Sequence, residues 1–87
     1  NLSDSNLSEA DLSGAYLFEV NLSKSYLFKA NLSGADLSDS NLVESDFSEA
    51  NLSNANLSRT DLSRANFLGA ILIGTNLTGA NGLTRIG

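Results

Sequence analysis

From Leu2 to Leu77 every fifth residue is leucine or phenylalanine, sixteen in succession, and the residue two places before each, from position 5 onward, is small. Such a chain has to adopt a structure with a five-residue period. Written in frame, as in Ala10-Asp11-Leu12-Ser13-Gly14 or Ala30-Asn31-Leu32-Ser33-Gly34, the first slot holds Ala, Ser, Thr or Val20. The second slot is Asn or Asp except at Tyr16, Tyr26 and Ile71. The third is Leu apart from Phe47 and Phe67. The fourth is mostly Ser, and the fifth is charged, Gly or Asn. On an α-helix of about 3.6 residues per turn, five-residue steps advance roughly 500°, so the leucines would spiral around the axis instead of lining one face. A continuous strand alternates sides at each residue and would send successive leucines to opposite faces. A short extended stretch with one bend per repeat keeps all of them inside, and Asn, Asp, Ser and Gly are the residues that build bends.

The repeat resembles the pentapeptide-repeat family, with consensus A(D/N)LXX, over residues 1 to 80. That resemblance implies an all-β fold, a right-handed quadrilateral β-helix with four pentapeptides per coil and about four coils. In it the third-slot residue and the small residue before it point inward and the other three point outward. Coils spaced by about 4.8 Å would then form a rod about 19 Å tall.

Residues twenty apart should be neighbours in such a coil. The fifth-slot columns Asp4, Lys24, Glu44, Arg64 and Glu9, Lys29, Glu49 alternate in sign, Gly14, Gly34, Asn54, Gly74 gathers residues without bulk, and Phe47 falls on Phe67. A fifteen-residue coil would bring together almost as many opposite charges, although it would scatter the glycines and separate the phenylalanines. Exposed cross-strand ion pairs of this kind contribute roughly 0.2 to 1 kcal/mol each and mainly fix register. Inside, a narrow interior shared by two inward side chains per side accounts for the small first slot. The column Ser5, Ser25, Ser45 puts hydroxyls in that interior, where they need backbone partners or each other.

Composition bounds the function. The 87 residues carry net charge −5 and contain neither His nor Cys, which removes the usual nucleophile–base pairs, disulfides and thiolate metal sites. No Gly-rich phosphate loop is present, and the one Asn-Gly pair, Asn81-Gly82, lies where the repeat stops. Glu19 and Asp39 form a like-signed neighbouring pair that invites a cation, but Arg59 follows them in the column. The expectation is no enzyme activity, no cofactor and no metal. No run of about 18 apolar residues is present to insert into a membrane, and a soluble, cytoplasmic protein is the default. The chain opens at Asn1 in repeat phase, as expected of a processed or trimmed product or a segment of something longer.

Departures from the pattern mark the candidate contact residues. Tyr16 and Phe18 replace outward polar residues in one repeat and Tyr26 and Phe28 in another, on opposite sides of a four-sided coil. Leu68, Ile71 and Ile73 occupy water-facing slots on adjoining sides of the last coil, before the repeat breaks in residues 81–87. Such a cluster calls either for a C-terminal cap using Leu83 and Ile86, or for a protein partner or second copy.

Two functions fit this reading. One is a structural or protein-interaction module. The alternative is DNA mimicry, because the resembled family includes proteins that protect gyrase from quinolones by imitating acidic B-DNA. Nucleic-acid binding is not expected of an acidic chain. Duplex DNA carries a charge per about 1.7 Å, so about 19 Å would need around eleven net negatives, whereas this chain has five. Those five are uneven, with Asp4, Glu9, Asp11 and Glu19 all in the first twenty residues and unaccompanied by a cation. A hydroxyl-bearing ice-binding face is weaker still, since the column Ser13, Ser33, Ser53 is interrupted by Ile73.

Overall fold

The computed structural model describes residues 1–83, and in it parallel bridges join second-slot residues twenty apart, from Asn6 with Tyr26 to Asp61 with Asn81. A coil is therefore twenty residues and four repeats long. Side one holds the repeats beginning at residues 20, 40 and 60, and side two those beginning at 5, 25, 45 and 65. Side three holds those beginning at 10, 30, 50 and 70, and side four those beginning at 15, 35, 55 and 75.

The repeat beginning at Ala30 shows how the backbone is satisfied. Ala30 N–H closes the preceding bend on the Leu27 carbonyl (3.0 Å), and Asn31 N–H reaches back one coil to the Ala10 carbonyl (2.9 Å). Leu32 and Gly34 N–H reach forward one coil, to the carbonyls of Asn51 (2.7 Å) and Ser53 (2.9 Å). Ser33 N–H has no ladder partner and donates to the Asn31 side-chain oxygen (3.0 Å). Every donor is thus used, as buried or half-buried backbone requires. The side-chain closure recurs at all thirteen Asn or Asp second slots of the repeats up to residue 79. These residues stabilise bends, as their position in the repeat implies.

The bend itself is a type II turn, in which the third turn residue takes positive φ. That residue is the fifth slot, and it lies at positive φ in all sixteen repeats, in eleven of them without being glycine. Charged side chains such as Glu44 (φ 59°) and Arg59 (φ 57°) accept a left-handed backbone normally reserved for Gly and Asn. In the first three coils the repeat supplies the compensation, because the fifth-slot N–H is locked into the ladder and the side chain lies on the outside. At the corner between sides four and one the first coil's bend is closed differently, although Ala80 N–H closes the same corner of the fourth coil on the Leu77 carbonyl (3.0 Å). Val20 N–H donates to the Ser40 hydroxyl (3.0 Å), which donates to the Leu17 carbonyl (2.9 Å), so that a side chain from the next coil bridges the turn.

Third-slot residues stack down the axis. Leu22 to Leu62, Phe47 and Phe67 are at most 1% exposed, with Ala30, Ala35, Ala50 and Ala55 packed among them. The Phe47 and Phe67 rings stack with centroids 5.2 Å apart and planes within 2°, the contact a twenty-residue coil demands and a fifteen-residue coil would break. The buried Ser25 and Ser45 hydroxyls donate to the Leu22 and Leu42 carbonyls, as does Thr60 to Leu57.

Three expectations need correction. The extents of 26 × 25 × 25 Å describe a block, not a rod, because each coil is about as wide as four coils are tall. Fourth slots do not all face water: Ser38 and Ser58 on side four are buried, Ser38 with its hydroxyl on Asp36 (2.7 Å) and Ser58 with its N–H on Asn56 (3.0 Å). The ladder also runs one residue past the expected boundary at 80, since Asn81 pairs with Asp61. Leu83 packs half-buried against the core, while Ile86, the other expected cap residue, lies outside the described residues.

Leu32→Lys should destabilise the fold by several kcal/mol, by placing an unpaired charge between coils. Ser33→Lys should stay within about 0.5 kcal/mol of the parent, since only its backbone is required. Thermal unfolding of the two variants checks the inward and outward assignment.

Candidate interaction surface

Where the second slot is Tyr or Ile, no side-chain oxygen is available to close the bend. At each of these three sites the residue two places on is also large and apolar: Tyr16 with Phe18, Tyr26 with Phe28, Ile71 with Ile73. Both members of each pair project from the same outer side. Tyr16 is 90% exposed and Phe18 is exposed beside it on side four of the first coil. Tyr26 is exposed on side two, but Phe28 is only half-buried there, correcting its expected place among exposed aromatics. Phe28 sits in an inner coil with a neighbour above and below, and the Lys29 amine lies 5.3 Å from its ring centroid. The two aromatic pairs remain on opposite sides and form no common platform.

The structure keeps the aliphatic cluster at one corner. Leu68 on side two (60% exposed) and Ile71 and Ile73 on side three (44% and 77%) all belong to the fourth coil, on either side of the corner at Gly69. Through Leu83 the chain leaves all three exposed. Side three is also the least charged side. Asp11 is its single ionisable residue, and Gly14, Gly34, Asn54 and Gly74 keep its edge low.

Part of the charge elsewhere is paired or holds a second-slot bond. Arg59 grips Asp39 through two hydrogen bonds of 3.0 Å, and Arg64 holds Glu44 at 2.8 Å, each one coil away. The Arg59 guanidinium lowers the Asp39 carboxyl below the ordinary range, and its two hydrogen bonds occupy both oxygens that a cation shared with Glu19 would need. Both pairs are solvent-exposed and contribute little to stability. Of the two expected alternating columns, only Glu44 with Arg64 forms a described ion pair, and Lys24 and Lys29 join none. Asp11, Asp36 and Asp61 are also lowered, first by the hydroxyls of Ser13, Ser38 and Ser63 and then by the N–H groups of the same serines. Among the described residues there is no cavity and no cluster of acidic side chains placed to hold a metal ion, and no helix is long and apolar enough to cross a membrane.

A carboxyl lowered by folding contributes stability above its unfolded value of about 3.9 and loses it as pH falls through the folded value. Acid should therefore destabilise the parent below about pH 4. An Asp36→Asn, Asp61→Asn variant, which keeps the acceptor that Asn provides at other second slots, should match the parent at neutral pH and lose less in acid. Melting temperature against pH measures the difference.

Comparison with known proteins places these features in context. A family model for pentapeptide repeats, eight copies, matches residues 1–34, 30–67 and 45–81. A pentapeptide repeat protein of Nostoc PCC 7120 is 35% identical with a TM-score of 0.85, over 86% of this chain and 62% of its own. One from the thylakoid lumen of Arabidopsis thaliana is 32% identical with a TM-score of 0.62, over 100% of this chain and 67% of its own. QnrB1, a plasmid-mediated fluoroquinolone resistance protein, is 25% identical with a TM-score of 0.50, over 86% of this chain and 39% of its own. The chain thus spans less than two thirds of the Nostoc protein's length. No curated protein matches it.

Proposed function

The chain belongs to the pentapeptide-repeat family, folded as a right-handed quadrilateral β-helix, and on that premise we propose that it is a non-enzymatic module that works by contact with other proteins. The observation that carries this reading is the Leu68, Ile71, Ile73 corner. Three large aliphatic side chains stand in slots that the rest of the repeat fills mostly with Ser, Asn and Asp, next to a flat and nearly uncharged side. Exposed apolar groups gathered on a rigid, otherwise polar surface favour burial against another molecule. The frame adds the second requirement of a contact module, because the patch is carried on a coil stacked on the ladder beneath it, as where Ile71 N–H bonds the Ala50 carbonyl (2.9 Å). Sedimentation velocity over a concentration series tests the corner. The parent should gain mass with concentration, while Leu68→Ser, Ile71→Asn, Ile73→Ser should remain monomeric and equally stable. A parent that sediments like the variant at every concentration would contradict the role given to this corner.

DNA mimicry is the second reading, supported by the acidic first coil and by the likeness to QnrB1. Shape and charge weigh against it. The molecule is as wide as it is tall, and Arg59 and Arg64 neutralise carboxylates where a phosphate backbone would continue negative. The chain should leave type II topoisomerase supercoiling unaffected. Inhibition at submicromolar protein would reverse the order of the two readings.

A further inference from the structure

The second-slot asparagines are chemically equivalent in sequence but not in the fold. Nine of them, Asn1 through Asn76, hold their side-chain oxygen on the N–H two residues on. Each is followed by Leu or Phe, and in coils one to three that next N–H is tied into the ladder, as Leu52 N–H is to the Ile71 carbonyl (2.8 Å). Asn81 differs in its side chain and in its neighbour, while its unengaged next N–H is shared only with Asn66 and Asn76, whose Phe67 and Leu77 N–H groups likewise have no described acceptor. No described donor reaches its side-chain oxygen, the next residue is Gly82, and the Gly82 N–H has no described acceptor. Both residues are exposed.

We infer that Asn81 is a site of self-catalysed deamidation, the one second-slot asparagine among the described residues that lacks its side-chain bond and precedes a glycine. Cyclisation needs the following amide nitrogen to reach the side-chain carbonyl carbon, and three features of the regular repeat block it: a bulky neighbour, an engaged nucleophile and an anchored amide. All three are missing here. Hydroxide removes the Gly82 N–H proton, and the nitrogen attacks Cγ of Asn81, forming a five-membered succinimide as the Nδ2 group leaves with a proton as ammonia. One water then opens the ring at either carbonyl, giving aspartate or isoaspartate at position 81.

The two products differ in their effect on the fold. Aspartate adds a charge one coil from Asp61 and keeps the main chain intact. Isoaspartate routes the main chain through the former side chain and adds a methylene to it. Asn81 is held by two ladder bonds, from its own N–H to the Thr60 carbonyl (3.0 Å) and from Leu62 N–H to its carbonyl (2.8 Å). The longer linkage cannot keep both in register, so the exit strand loosens and the Leu62 amide is released.

The test is to age the folded 87-residue chain in mildly alkaline buffer, map peptides by mass, and follow amide exchange at Leu62. Asn81 should convert at least about tenfold faster than any other asparagine, a barrier difference of about 1.4 kcal/mol. Leu62 protection should fall as isoaspartate accumulates, with Leu42 unchanged. Asn81→Gln, whose ring would have six members, should show neither change. Conversion at another asparagine as fast as at Asn81 would overturn the assignment. An equal loss of Leu62 protection in Asn81→Gln would overturn its structural consequence.

Discussion

Satisfying five backbone N–H groups per repeat without a continuous strand is the constraint on which the rest of the molecule depends. Three N–H groups go to neighbouring coils and one closes the bend, which leaves the fourth-slot N–H without a main-chain partner. Asn or Asp two residues earlier supplies the missing acceptor, and this requirement gives the repeat its most polar fixed position. Once the donors are placed, coil stacking follows, and with it the leucine ladders that remove apolar surface from water. A helix satisfies its backbone internally and a flat sheet does so between long strands. Here the account closes only with help from side chains, so the sequence must repeat strictly.

The same constraint explains why the deviations are informative. A repeat with Tyr or Ile in the second slot gives up the side-chain acceptor, and in this chain that happens only where the fourth slot is apolar as well. Tyr16 with Phe18, Tyr26 with Phe28 and Ile71 with Ile73 are thus paired departures, and each pair leaves the inward residues unchanged. These surface changes forgo one backbone bond each while the core ladders persist. A scaffold of this kind can present different outer side chains while its core stays the same, in keeping with action through contact.

Much of this was legible in the sequence, for physical reasons that differ by position. The stacking of Phe47 on Phe67 could be read once the family resemblance supplied a twenty-residue coil, which makes them inward neighbours. That Ser25 and Ser45 need partners could be read because a buried hydroxyl must donate, and the structure chose the Leu22 and Leu42 carbonyls over the other serines. The left-handed fifth slot could not, since Glu, Lys and Arg disfavour that conformation and only the ladder geometry imposes it on them. Nor could the Ser40 bridge, which depends on a bend in the preceding coil, or the partial burial of Phe28, which depends on neighbouring coils. The corner at Leu68, Ile71 and Ile73 was visible as a break in pattern, and the structure added that the chain through Leu83 leaves it open.

Residue-resolved amide hydrogen exchange tests the central claim most directly. In the two inner coils the third- and fifth-slot amides, such as Leu32, Leu37, Asp39 and Glu44, are bonded between coils and should exchange slowest. Ser33 and Val43, bonded only to an outer side chain, should exchange faster, giving a five-residue period along the chain. Uniform protection across all five slots, or slow exchange of the fourth-slot amides beside fast exchange of the third, would contradict the assignment of donors on which the fold rests.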